Sequence, residues 1–435
     1  MKILVVGSGG REHAILRTLQ KNSLSAAELF CAPGNSGIAQ SFSCAPIKVT
    51  DVSALADFAE ESKIDLTIVG GEAALAAGIA NEFAARRLLV AAPTREAARL
   101  ESSKIFAKDF MTRHHIPTAR YRTANSVDEV RRILERGEFG SEDAPVVVKA
   151  DGLAAGKGVV LARSRGEAMQ AAANLLKTSA GEESKCVVLE ETLAGHEVSL
   201  LLFTDGRDYK LMPAARDHKR IGENDTGANT GGMGAITSAS VLDEKTKNRV
   251  VREVVEPTLE GARAEGFEFR GVLYVGLMLT TEGARVLEYN VRFGDPEAQA
   301  ILIRLRSDLA ETFDAVARGR LSSVSVEWSE EASACVVLAA RGYPEQPEMD
   351  ARIEGLESAD SSDTNVEVFH AGTARDGEGN WIVAGGRVLN VTGVGATLDE
   401  ALRRCYRRIE GINWEGMQYR RDIGSFGKSE LDGKS

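Results

Sequence analysis

The sequence predicts a multidomain chain of α/β and α+β type, with an N-terminal parallel α/β domain, a larger mixed centre and a small mixed C-terminal domain. Three observations predict it. Over the first hundred residues short apolar runs alternate with amphipathic stretches, the rhythm of a parallel sheet covered by helices. Glycine turns at Gly7, Gly34 and Gly70 follow the ends of those runs, the edge of such a sheet where ligands sit. Past Cys186 the apolar runs crowd together with few helical stretches between them, as antiparallel strands do.

Taken in order, strands are expected at Ile3–Val6, Glu28–Cys31, Ile47–Val49, Leu66–Val69 and Leu88–Ala91. A helix from Ser103 to His115 runs into Pro117. A compact unit follows, with strands at Val146–Lys149, Gly158–Leu161 and Cys186–Glu191 around an alanine-rich helix from Gly166 to Lys177. Gly181, Glu182 and Glu183 mark an exposed turn. Strands at Glu197–Thr204 and Tyr209–Pro213 lead into a long loop up to Gly234. A helix about Lys245–Glu265 and strands at Val272–Thr280 and Ala284–Asn290 complete the centre. The last unit opens with a strand at Ala334–Ala340 and closes with a helix from Thr397 to Gly411.

The length of 435 residues accommodates about three domains at roughly 150 residues each. With 53 Lys and Arg against 64 Asp and Glu, the net charge of −11 argues against broad binding to nucleic acid or to an anionic membrane. No apolar run reaches the roughly 18 residues of a membrane span, and the opening Met-Lys-Ile-Leu-Val-Val breaks into glycines too early for a signal peptide. A cytoplasmic protein is expected. The five cysteines are scattered and odd in number, with no C-x-x-C, so they read as reduced thiols rather than disulfides or zinc ligands. Glycine, at 43 residues, is in excess, and loops that approach ligands are where the excess belongs.

Gly7-Ser-Gly-Gly10-Arg-Glu-His13 follows the first strand and opens a helix, so its backbone N–H groups could hold an anion. Position 12 is Glu where a dinucleotide fingerprint needs a third glycine, and no acid ends the second strand. A nicotinamide cofactor is therefore disfavoured and a single phosphate fits better. A glycine turn that serves only helix packing is an equal alternative at this motif alone.

Lys149-Ala-Asp-Gly152-Leu-Ala-Ala-Gly156-Lys157-Gly158 is sharper. It is not a Walker loop, because Gly152 and Gly156 are too close and no Ser or Thr follows Lys157. Lys149 ends a strand as a point charge for phosphates, and the glycine loop after it can fold over a triphosphate as a flap. Period-2 alternation places Glu288, Asn290 and Arg292 on one strand face. A carboxylate and an amide oxygen so spaced are hard ligands suited to Mg²⁺, and Arg292 beyond them could clamp a carboxylate or phosphate. Arg216-Asp-His-Lys-Arg220 and Asn229-Thr-Gly-Gly-Met-Gly234 lie in the long loop, where functional residues concentrate, although a charge run is usually a solvated face.

Together with Asn290-x-Arg-Phe-Gly-Asp-Pro-Glu297, these motifs resemble the phosphoribosylamine–glycine ligase (glycinamide ribonucleotide synthetase) family of the ATP-grasp superfamily, from residue 1 to about Gly424. The resemblance implies a substrate domain at 1–103, an ATP-grasp domain at 104–325 with a mobile lid at about 120–190, a C-terminal domain at 326–424 and a flexible tail at 425–435. It also implies ATP-dependent joining of glycine to 5-phosphoribosylamine through glycyl phosphate, a step of purine biosynthesis. ATP would be bound by Lys104, Lys149, Gly152, Gly156, Lys157 and Gly158, with adenine at Glu190 and Leu193 and ribose at Glu197. Glu288 and Asn290 would hold Mg²⁺, or Mn²⁺. Arg292, Lys219 and Asp217 would serve the chemistry, and Gly9, Gly10, Arg11, Asn35 and Gly37 the phosphoribosylamine. A monomer acting on small molecules is expected. The chain departs from the family's pattern at Arg216, Ala228 and Ile236-Thr-Ser238, and Gly271–Thr280 carries no acidic metal ligand.

Overall fold

A computed structural model of the chain describes residues 1–22, 27–153, 158–178, 186–267, 269–356 and 363–425. Gly156 and Lys157, the turn at Gly181–Glu183 and nearly all of the tail after Gly424 lie outside the described residues.

The N-terminal domain is a parallel sheet of β1 (Lys2–Gly7), β2 (Glu28–Pro33), β3 (Ser43–Cys44), β4 (Leu66–Val69) and β5 (Val90–Ala91), in the order β3-β2-β1-β4-β5. The order reverses at β1, whose C-terminal end opens the crevice where open α/β sheets bind ligands. The expected strand at Ile47–Val49 does not form. Cys44 pairs with Cys31 instead, and Pro46, with no N–H to donate, takes the chain off the sheet. Ile47 and Val49 keep only their packing role against the core.

The lid is an antiparallel sheet of β6 (Tyr121–Ala124), β7 (Val146–Ala150), β8 (Val159–Ala162) and β9 (Val187–Glu191), ordered β6-β9-β7-β8. Helices Val127–Glu135 and Arg165–Thr178 flank it. Val130, Ile133, Val146, Val148, Ala168, Ala172, Val187 and Leu189 form a core of its own, separate from the body. This sheet and its helices thereby pack as one unit.

Among the described residues nine strands make the central sheet. Its path runs β17-β16-β10-β12-β15-β18-β22-β19 through β10 (His196–Thr204), β12 (Ala215–Asp217), β15 (Gly234–Thr237), β16 (Gly271–Thr280), β17 (Gly283–Asn290), β18 (Ala332–Ala339), β19 (Val366–His370) and β22 (Arg387–Gly395). The ninth strand, β11 (Tyr209–Leu211), pairs with β10. Two small ribbons complete the strands, β13 (Arg220–Gly222) with β14 (Thr226–Asn229) and β20 (Thr373–Arg375) with β21 (Trp381–Val383). The C-terminal strands thus extend the central sheet rather than stand apart.

The long loop expected up to Gly234 is half strand: β12 enters the sheet between β10 and β15, and β13 and β14 form a hairpin. Three-residue strands of charged sequence carry no apolar signature, yet their backbone groups, once buried, must be paired. Two cores join the N-terminal domain to the central sheet. Leu4, Val6 and Phe83 share one with Leu200 and Val275, while Ile3, Val5 and Leu16 share the other with Leu201 and Phe203.

Candidate active site

The C-terminal end of β17 carries the densest charge. Tyr289 points into the core, its hydroxyl 2.7 Å from Thr258 Oγ1, so Asn290 and Arg292 occupy the other face, with Arg292 Nη2 3.3 Å from Asn290 Oδ1. A bulge opposite Gly276 and Leu277 makes Leu287 the extra residue, and its freed carbonyl accepts Lys149 Nζ at 3.1 Å. Burial opposes ionisation of Glu288, but Lys219, Lys149, Lys104 and Arg292 hold its carboxyl below the usual range. It is a carboxylate facing four cations.

Arg292 is fixed by two acids from the N-terminal domain. Its Nη2 meets Glu101 Oε1 at 2.7 Å and its Nε meets Glu72 Oε2 at 3.1 Å. Glu101 Oε2 also accepts the Val291 N–H at 2.8 Å, so one carboxylate grips both backbone and side chain of the strand end. Burial pushes Glu101 up while Arg292 pulls it back. Burial acts the same way on Glu72, but Arg292 and Arg11 win there and hold it low.

On the lid side, Glu190 Oε1 pairs with Lys149 Nζ at 2.9 Å and its Oε2 with Lys108 Nζ at 2.8 Å, all three side chains being almost fully buried. Burial lowers Lys108 to about 8, partly offset by Glu190. Lys104 Nζ donates to the Gly152 carbonyl at 2.9 Å, and burial lowers its pKa as well. Asp151 Oδ1 accepts Ser103 Oγ at 3.1 Å and the Ile105 N–H at 3.2 Å, so the glycine-rich segment caps the helix Lys104–Arg113. Leu193 lies between β9 and β10, where lid joins body.

On the far side, Lys219 Nζ donates to Glu197 Oε2 at 2.6 Å. Burial raises Asp217 to about 7; Lys219 opposes the shift, whereas Glu297, Glu197 and Glu288 add to it. Burial works against the charge on Lys219, but Glu197 and Asp217 raise its pKa well above the ordinary value. The backbone of this pair is clasped by the glycine stretch: Thr230 N–H and Oγ1 both donate to Lys219 O at 2.8 Å, and Met233 N–H donates to His218 O at 2.8 Å.

The first glycine turn differs from expectation. Glu12 Oε2 accepts the Gly9 N–H at 2.6 Å, and a Cβ at Gly7 or Gly70 would come within 2.4 or 2.1 Å of the Glu12 side chain. The expected external anion is replaced at this donor by the chain's own carboxylate. Arg11 is spent as well, on Glu12 Oε1 at 2.7 Å and Phe293 O at 3.0 Å. Gly10 packs on Asn390, and a Cβ at Gly37 would lie 2.1 Å from His370. Asn35 braces its own turn, accepting from Gly37 and Ile38 N–H and donating to Ser8 and His370 carbonyls.

The structure therefore gathers Lys104, Lys149, Glu190, Glu197, Asp217, Lys219, Glu288, Asn290 and Arg292 at one site, buried at Lys149 and Glu190 and open to solvent at Glu197 and Lys219. Gly9 borders it, since a Cβ there would lie 3.5 Å from Asp295 Oδ2, while Asn35 and Gly37 face the C-terminal strands. Sequence reasoning missed Glu72, Glu101 and Lys108. Each sits in or at the start of a helix where a charge resembles a solvated one, and only tertiary packing shows otherwise. Among the described residues no group of three His, Cys, Asp or Glu side chains converges as a metal cage. Glu288 and Asn290 nonetheless fit a hard cation that takes its remaining ligands from phosphate and water.

The descriptions of three family models match along the chain: phosphoribosylglycinamide synthetase N domain at residues 1–101, its ATP-grasp (A) domain at 102–298 and its C domain at 333–426. A Xylella fastidiosa protein named phosphoribosylamine–glycine ligase is 45% identical over 429 residues, covering 98% of this chain and 97% of its own. One of the same name from Chlorobaculum tepidum is 44% identical, with 98% and 99% covered. The crystal structure of phosphoribosylamine–glycine ligase from Thermotoga maritima superposes with a TM-score of 0.83 at 34% identity, over 97% of this chain and 100% of that one. A Campylobacter jejuni biotin carboxylase shares the fold at TM-score 0.72 and 14% identity, with 100% and 96% covered. With its motifs, its charged site and the full length of its relatives in agreement, the chain belongs to the phosphoribosylglycinamide synthetase family.

Proposed function

We propose that this site joins glycine to 5-phosphoribosylamine at the expense of ATP, as a carbon–nitrogen ligase of purine biosynthesis. A glycine carboxylate oxygen attacks the γ-phosphorus of ATP, ADP leaves, and glycyl phosphate forms. The amine nitrogen of phosphoribosylamine then attacks the glycyl carbonyl, loses a proton, and expels phosphate to leave the amide. Both steps build and move negative charge, so positioning and preorganised cations are what the protein must supply.

The observation that carries the reading is the meeting of Lys104, Lys149, Lys219 and Arg292 around the ionised Glu288. Lys104 and Lys149, with Gly152, Gly156, Lys157 and Gly158 of the flap, are assigned to the ATP phosphates. Glu190 and Leu193 are assigned to adenine and Glu197 to ribose, so nucleotide binding exchanges the internal pairs Glu190–Lys149 and Glu197–Lys219 for ligand contacts. Asp217 takes the glycine ammonium and Lys219 its carboxylate; Arg292 steadies the transferring phosphoryl group. The phosphoribosylamine lies along Gly9, Gly10 and the Asn35–Gly37 turn, with Arg11 holding Phe293 beside it. Glu288 and Asn290 are the residues that would hold Mg²⁺ or Mn²⁺, which neutralises phosphate charge when bound. The reading extends to a cytoplasmic monomer with small-molecule partners and neither nucleic acid nor membrane, supported by the net charge of −11. Among the described residues no helix is long and apolar enough to cross a membrane.

The test is ADP release with Mg-ATP, glycine and phosphoribosylamine generated in situ, omitting each in turn. Release that needs all three, with glycinamide ribonucleotide as product, is expected; release independent of glycine would move the acid substrate elsewhere.

A further inference from the structure

The C-terminal strands place two side chains on the active-site loops. Arg387, the first residue of β22, donates from Nη1 to Gly231 O at 2.7 Å and to Asp295 O at 2.6 Å, with Gly232 O at 3.5 Å. Its Nη2 pairs with Asp295 Oδ2 at 3.2 Å. Tyr343, in the loop after β18, accepts the Gly231 N–H on its hydroxyl at 3.1 Å. One peptide unit on each side of Gly231 is thus held from the C-terminal region, its N–H by Tyr343 and its C=O by Arg387.

The fit excludes side chains. A Cβ at Gly231 would lie 3.1 Å from the Arg387 guanidinium carbon, and at Gly232, whose φ is +111°, 2.6 Å from Pro296 Cδ. The held loop is the one that clasps the backbone of His218 and Lys219 through Met233 and Thr230. Asp295 belongs to the segment after Arg292, and burial would raise its pKa, yet Arg387 foremost holds it low. Arg387 therefore joins two loops distant in sequence, one clasping the backbone beside the Asp217–Lys219 pair and one following the metal and phosphoryl positions.

We propose that Arg387, assisted by Tyr343, is a positioning residue through which the C-terminal domain sets the geometry of the acid-and-amine half of the active site, by clamping Gly231 to Asp295. This inference rests on the assignment of Asp217 and Lys219 to glycine. Among the described residues neither clamp residue shares a hydrogen bond or ion pair with Lys104, Lys149 or Glu190, so the proposal leaves the nucleotide half to the lid.

The experiment compares Arg387→Gln, Tyr343→Phe, their double variant and Lys219→Met, reading the KM for glycine and for ATP separately with thermal stability as a check on folding. Arg387→Gln should raise the glycine KM about tenfold or more while the ATP KM moves less than about threefold. Tyr343→Phe, which removes one hydroxyl and no charge, should act in the same direction by about threefold to tenfold. The double variant should fall short of the product of the two, because both hold the same residue, Gly231, from its two sides. Lys219→Met separates the two ideas. If it raises the glycine KM and neither clamp variant does, the clamp is refuted and the site stands; if it leaves the glycine KM unchanged, both fall. Equal loss of ATP and glycine binding in folded Tyr343→Phe would also overturn the clamp, as a general structural role would then suffice.

Discussion

Replacing Glu101 by Gln should cost this enzyme its turnover more than its fold. Glu101 is 6% exposed and spends one oxygen on Arg292 Nη2 at 2.7 Å and the other on the Val291 N–H at 2.8 Å. Glutamine is nearly isosteric, but its amide has one acceptor and one donor group. Either the Arg292 or the Val291 donor then faces an N–H₂. A lost charge-assisted hydrogen bond is worth about 1.5–3 kcal/mol. The larger penalty of about 3–5 kcal/mol for stranding a buried charge does not apply in full, because Glu72 remains 3.1 Å from Arg292 Nε. Released on one side and held on the other, the guanidinium pivots toward Glu72. A misplacement on the order of 1 Å costs about 10²-fold, or near 2.7 kcal/mol in the barrier. The assay is glycine-dependent ADP release at saturating Mg-ATP, beside Glu72→Gln. With its side chain 34% exposed, Glu72 should matter less, by about tenfold or under. A Glu101→Gln enzyme with parental kcat would refute the claim that this carboxylate sets Arg292 in place.

Glu288→Ala should lower kcat by about 10² or more, as loss of one preorganised charged contact at ~3 kcal/mol, and near-normal turnover at saturating Mg²⁺ would remove its metal role. Asp217, raised to about 7 by burial, is mostly protonated at pH 6 and ionised at pH 8. The kcat/KM for glycine should therefore climb with pH through that region and the climb vanish in Asp217→Asn; a profile that survives the substitution would contradict the ammonium contact. His218 is held at about 4 by burial, foremost, and by Arg420. Unfolding takes up a proton there between pH 6.5 and about 4, so its share of stability is present above 6.5 and is lost as pH falls. In denaturant titrations, His218→Gln should shrink the stability difference between pH 6 and pH 5 by about 1 kcal/mol, and an unchanged difference would mean that His218 is not buried neutral.

Much of this was legible in the sequence, and the reason is local. Leu66–Val69 is three apolar residues and a threonine between Asp65 and Gly70, and it forms a strand over that span. The alternation through Glu288, Asn290 and Arg292 set three polar side chains on one face, and Lys149, near a strand end, lies beside them. What could not be read depends on distance along the chain. Glu101 and Arg292 are 191 positions apart, and Arg387 reaches Gly231 across 156. Their side chains carry no local periodicity that separates a clamp from a solvated charge. The strands at 215–217 and 220–229 failed for another reason: their pairing serves buried backbone groups, whereas sequence patterns report on side chains. At Ile47–Val49 the apolar run was real, and one proline decided the outcome.

The Glu12 carboxylate has a consequence for what this N-terminal domain can bind. A turn bordered by Gly7, Gly9 and Gly70 is a vacancy shaped for a phosphate, and here it is plugged by a group tethered three residues from the donor it satisfies. A free anion competing for that N–H must displace a rival whose local concentration is fixed by the covalent chain and does not fall on dilution. The glycine turn that such folds offer to a phosphate is filled here from within. A single Glu12→Gly exchange would remove that rival, and would take from Arg11 its hydrogen-bonded carboxylate.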